Sequence, residues 1–71
     1  MSEAVRAEMV ASVLEVDVDE GQTVQAGDTL LLLESMKMEI PVITERGGRV
    51  RSIHVAPGDV VQEGDVLVVL G

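Results

Sequence analysis

The chain has 71 residues, room for one small domain, and its lack of Cys excludes disulfides and thiolate metal sites. Its formal charge is −8, with acidic residues along its whole length and no basic stripe, which excludes a polyanion such as nucleic acid as partner. No residue is aromatic although 46% are hydrophobic, so the core is aliphatic and a base-stacking platform is ruled out.

The opening MSEAVRAEMV is too polar for a secretory leader, and no apolar run approaches the ~18 residues of a membrane span. The chain reads as soluble, monomeric and cytoplasmic. Met9 reads as a core residue. An alternating strand follows, with Val16 and Val18 set against Glu15, Asp17 and Asp19. The two aspartates mark a solvated face rather than a calcium loop. A turn at Glu20-Gly21, a short extended piece and a second turn at Gly27-Asp28 lead into an apolar strand over 29–34. The four leucines there are too few for a helix between a turn and a Pro-containing segment.

The same grammar then repeats. VLEVDVDEGQTVQAGDTLLLL (13–33) aligns without a gap to VRSIHVAPGDVVQEGDVLVVL (50–70). Gly21 falls on Gly58, Gly27-Asp28 on Gly64-Asp65, and Leu30 and Leu33 on Leu67 and Leu70. Two copies of one β unit predict an all-β fold: a flattened barrel or sandwich of two quasi-symmetric four-stranded halves, neither able to bury its apolar face alone. Residues 35–49 link the copies and have no counterpart after residue 70. Symmetry puts the turn within Ser35–Glu39 at the opposite end from the chain termini.

That turn breaks a local rule. Tight hairpin turns need positive φ and favour Gly, Asn or Asp, yet Ser35-Met36-Lys37-Met38-Glu39 contains none of them. Lys37 is the only lysine; the other cations are Arg6, Arg46, Arg49 and Arg51. Arginine stays charged and cannot be acylated, so an amidating enzyme has a single side-chain target. A lone surface lysine is ordinarily a solubilising charge, but broken local rules concentrate at functional sites, and exposed methionines suit a surface gripped by a partner.

ESMKMEIPV resembles the biotinyl-lysine motif of the biotin/lipoyl attachment family, in which a lysine lies between two methionines on a hairpin tip. The resemblance runs through VLEVDVDEGQTVQAGDTLLLLESMKME and GGRVRSIHVAPGDVVQEGDVLVVL, essentially the whole chain, and implies one attachment domain over 1–71. It implies that Lys37 receives covalent biotin, that Met36 and Met38 are recognised by a biotin-protein ligase, and that Glu34 and Ser35 flank the motif. Gly27, Gly48 and Gly64 correspond to the family's structural glycines. Met9-Val10-Ala11 stands where many biotinyl domains have Met-Pro-Gly, which leaves the shape of that edge turn open. The chain has no insertion resembling the thumb of some carrier proteins, and no Pro/Ala-rich tether.

The function implied is a biotin carboxyl carrier. It shuttles a carboxyl group between the biotin carboxylase and carboxyltransferase sites of a biotin-dependent carboxylase, such as an acetyl-CoA carboxylase of fatty acid metabolism, with no active site of its own. Two rivals stay open. A lipoyl or dual carrier shares the fold, although lipoyl domains resemble Asp-Lys-Ala at the tip. An unmodified β-sandwich interaction module would carry no cofactor. An enzyme is disfavoured, because the only histidine, His54, reads as a surface-strand residue next to no evident nucleophile.

Overall fold

A computed structural model describes residues 2–71; Met1, the first residue of the predicted 1–71 domain, lies outside the described residues. The described residues form eight strands: β1 (Glu3–Arg6), β2 (Ala11–Val16), β3 (Thr23–Val24), β4 (Thr29–Ser35), β5 (Met38–Ile43), β6 (Gly48–Ile53), β7 (Val60–Val61) and β8 (Val66–Leu70). The short extended pieces are the two-residue strands β3 and β7, and the apolar runs are β4 and β8, as expected.

Two four-stranded sheets form, ordered β1-β8-β6-β3 and β5-β4-β2-β7. Adding the repeat offset of 37 residues (Val13 to Val50) turns β1 into β5, β2 into β6, β3 into β7 and β4 into β8. One sheet order thereby becomes the other. Each sheet takes two strands from each copy, so the copies are interleaved rather than stacked. This corrects one expectation. Residues 38–49 do have a counterpart, at the start of the chain: β5 is the twin of β1. Ser35, Met36 and Lys37 have no twin within the 71 residues, since the offset carries them to 72–74.

The interleaving is fixed by turns. Four turns carry glycine at φ between 89° and 95°: Gly21, Gly27, Gly58 and Gly64. Those values suit the third residue of a type II turn, where a side chain would be strained. In three of them the residue after glycine is an aspartate whose Oδ2 accepts the backbone N–H that opens the turn: Gln25 at 2.9 Å, Ala56 at 2.9 Å and Gln62 at 2.8 Å. In the fourth, Gln22 Oε1 accepts from Asp19 N–H at 3.1 Å. Each glycine N–H then donates to the chain crossing behind it. Gly21 donates to Val50 O at 2.7 Å, and Gly27 to Thr44 O at 2.8 Å. Their twins, Gly58 and Gly64, donate to Val13 O and Ala7 O, both at 2.8 Å.

The core follows the same offset. Val13, Val24, Leu30, Leu31 and Leu33 are buried in one copy, and Val50, Val61, Leu67, Val68 and Leu70 in the other. Thr44 is the one buried polar residue among those described; its Oγ1 donates to Arg46 O at 2.6 Å and so closes its own turn. The barrel measures 32 × 18 × 17 Å. β1 starts beside the end of β8 and crosses over residues 7–10 to β2, which lies beside the β4–β5 tip. The tip and the chain ends therefore sit at opposite ends, as symmetry required.

Gly48 differs from Gly27 and Gly64. It has no positive φ, and a Cβ there would meet Gly71 O at 3.4 Å, an ordinary contact. Gly27→Ala or Gly64→Ala is therefore expected to cost about 1–2 kcal/mol. For a domain of this size that lowers the melting temperature by roughly 4–16 °C. Gly48→Ala should move it much less, and thermal unfolding of the three variants checks the ranking.

Candidate functional site

β4 and β5 pair antiparallel from Thr29↔Ile43 to Ser35↔Met38, which leaves a two-residue loop of Met36 and Lys37. Both loop residues have positive φ, 54° and 64°. That is the type I′ pattern, whose twist matches the strands it joins. The register of β4 and β5 leaves room only for a tight primed turn, and the sequence fills this one with side chains that pay a steric penalty of about 1–2 kcal/mol each. They are the only non-glycine residues with positive φ among those described.

The loop lifts its side chains clear of the barrel. Met36 is 88% exposed and Met38 58%, and Lys37 is exposed between them. Among the described residues Lys37 forms no ion pair and its amine no hydrogen bond. Ser35 is half-buried at the last paired position of β4. Glu34 and Glu39 sit directly opposite each other across the hairpin, both exposed. Like charges facing across a strand pair disfavour the isolated hairpin. The structure thus brings Glu34, Ser35, Met36, Lys37 and Met38 together on one tip, with a rigid base and a free amine.

Two sequence readings change. Met9, expected in the core, is 37% exposed and lines a groove between the open edges of β1 and β5. Only its twin relation to Arg46 hinted at a surface position. His54 is exposed as expected, but it does have a hydroxyl neighbour: Ser52 Oγ lies 2.9 Å from its Nε2. The i, i+2 spacing that makes this possible was visible in Ser52-Ile53-His54. The pair sits on the outside of the barrel, and no third group holds the other ring nitrogen among the described residues. Among the described residues it therefore lacks the orienting partner that an activated nucleophile needs. Met9-Val10 turns without glycine, and Val10 is 63% exposed where its twin is Gly47.

A family model described as "Biotin-requiring enzyme", the biotin/lipoyl family, matches residues 2–70. The chain belongs to the biotin/lipoyl family. It is 57% identical over 70 residues to the "Biotinylated protein TB7.3 homolog" of Mycobacterium leprae, an alignment covering 99% of each chain. Among solved structures it is similar to a single-chain, multi-domain long-chain acyl-CoA carboxylase, at 38% identity and a TM-score of 0.90. That alignment covers 96% of this chain and 7% of the carboxylase. The lipoyl domain of the Azotobacter vinelandii 2-oxoglutarate dehydrogenase complex superposes with a TM-score of 0.76. At 24% identity, over 87% of this chain and 78% of that domain, it shows that the biotin/lipoyl fold is shared.

Replacing the loop by Asn-Gly (Met36→Asn with Lys37→Gly) is expected to stabilise this biotin/lipoyl domain by about 1–2 kcal/mol, since both residues then suit positive φ. Denaturant unfolding reads this directly. An unmoved midpoint would show that the loop is not strained.

Proposed function

We propose that this chain is a biotin carboxyl carrier and that Lys37 is its attachment point. The observation that carries the reading is a sole lysine, unpaired and exposed, on a two-residue loop between methionines. Its relationship to a biotinylated mycobacterial protein and to a domain of an acyl-CoA carboxylase supports the choice of cofactor.

The residues fit the attached group. Joining an amine to a carboxyl group as an amide loses water, so a biotin-protein ligase must first activate the acid. Lys37 Nζ, once it has given up its proton, then supplies the electron pair for the new C–N bond, and the bond from the acyl carbon to the activating group breaks as that group leaves. The positive-φ loop holds the lysine stem away from the barrel, so among the described residues nothing competes for the amine. Met36 and Met38 flank it as large, adaptable apolar contacts for the ligase. Glu34 and Ser35 fix the lead-in strand and set the approach.

When attached, biotin supplies the ring nitrogen that carries a carboxyl group. The protein supplies reach and confinement. A tethered arm visits a biotin carboxylase site and a carboxyltransferase site at an effective concentration of about millimolar. The chain works as a carrier and the partners hold the active sites. The same proposal takes residues 1–71 as one attachment domain, acting as a monomer in the cytoplasm; the absence of Cys is in keeping with a reducing compartment. The Met-Lys-Met tip favours biotin over lipoate.

Incubating the protein with biotin-protein ligase, ATP and biotin should add one biotinyl group to the intact mass, mapped to the Lys37 peptide. Lys37→Ala should add none while keeping its melting temperature. Biotin on Lys37→Ala, or lipoate in place of biotin on protein from its native cells, would overturn the reading.

A further inference from the structure

The internal repeat supplies its own control. Twin positions face the same demands from the fold, so where twins diverge the fold is not the cause. The inner faces agree almost residue for residue, and the outer faces do not.

The outer face of the sheet that carries Lys37 begins with a row across all four strands, Val60–Ser12–Glu34–Glu39. The next row is Glu15–Leu32–Pro41, with Leu14 bulged between the two rows. On the other sheet the matching rows are Thr23–Arg49–Gly71 and Ser52–Val69–Ala4, with Arg51 at the twin bulge. So Leu14 is matched by Arg51, Val60 by Thr23 and Pro41 by Ala4. The charges differ too: the carboxylates Glu15 and Glu34 are matched by the neutral Ser52 and Gly71, and the neutral Ser12 by Arg49. One face is apolar with carboxylates around it; its twin is smaller, polar and cationic.

The apolar face is open. Val60 is 69% exposed and Leu14 36%, although the twin positions show that polar side chains fit the same backbone. Four strands spaced about 4.8 Å apart make it about 14 Å wide, and it is continuous with the base of the Lys37 hairpin. The facing Glu34–Glu39 pair disfavours the isolated hairpin and is relieved by a cation placed between them.

We infer that the outer face of this sheet, centred on Leu14, Leu32 and Val60 and bordered by Glu15, Glu34 and Glu39, docks a carboxylase subunit through an apolar patch rimmed by Arg or Lys. This rests on the carrier reading and extends it from the tip to a whole face. A ligase needs the tip; a partner that holds the barrel while the arm swings needs area beyond it. Apolar centres supply affinity, and the charged rim supplies approach rate and register.

The test uses isotope-labelled protein, with and without biotin, titrated with the purified biotin carboxylase subunit of an acyl-CoA carboxylase from the same organism. Amide shifts should move at Leu14, Glu15, Leu32 and Val60 and stay put at Arg49, Arg51 and Val69. Val60→Arg and Leu14→Arg should each weaken binding at least about tenfold, whereas Arg49→Glu and Arg51→Glu should change it by less than about twofold. Val60 is so exposed that its substitution leaves folding intact, and an unchanged melting curve verifies this. Added salt should weaken binding further. Shifts confined to the tip, equal losses from variants on both faces, or no binding by a fully biotinylated protein would overturn the docking face and leave the carrier reading standing. Slower biotinylation of Val60→Arg with unchanged subunit binding would assign the face to the ligase and overturn the proposal. So would self-association at high concentration that Val60→Arg and Arg51→Glu both abolish, since the face would then meet the cationic face of a second copy. Failure of Lys37 to accept biotin is read separately, by mass, and falls on the carrier reading alone.

Discussion

Each sheet is built from two strands of each copy, and every other feature depends on that exchange. An aliphatic core without a single ring gains roughly 25 cal/mol for each Å² of apolar surface it removes from water, so a small chain must close completely to be stable. Interleaving achieves closure. Val13, Leu30 and Leu33 of one copy and Val50, Leu67 and Leu70 of the other form one apolar layer between the sheets. The glycine N–H groups that donate across the chain crossings tie each copy to its twin at the places where the sheets exchange strands. Four similar turns, each closed by its own side chain, leave little backbone free to move.

Rigidity at the base makes the tip useful. β4 and β5 run in register to Ser35 and Met38, so the loop has only two residues in which to reverse direction. It closes with positive φ at both. The steric cost at Met36 and Lys37 is carried by the barrel behind them, whose buried core includes none of the exposed tip side chains. A carrier needs this division: a firm foot, and a side chain with no attachments until an enzyme makes one. The surface beside the foot is free of folding duties as well, which is why the two outer faces could diverge while the two inner faces stayed alike.

Much of this was legible in the residues. The ungapped repeat fixed the strand grammar and the symmetry, because glycine and aspartate punctuation sits at equal offsets and the apolar positions recur with it. The Met-Lys-Met tip stood out because its turn chemistry was poor. The twin of β5 was missed because Glu3–Arg6 and Ile40–Ile43 share shape rather than residue type: Val5 faces inward like Val42, but Arg6 and Ile43 have nothing in common. Met9 reads as core on hydrophobicity alone, and only the crossing between sheets reveals that it borders an open groove. The Ser52–His54 contact depends on rotamers that no pattern of letters encodes.

The loop that carries Lys37 is also the junction between the two copies. In one half of the barrel a two-residue turn joins β4 to β5; in the other half the equivalent strands, β8 and β1, pair in the same way through Glu3↔Leu70. Cutting the first junction leaves two nearly equivalent pieces related by a twofold axis. The two copies are related as the subunits of an isologous dimer are, and the lysine stands on the turn that joins them.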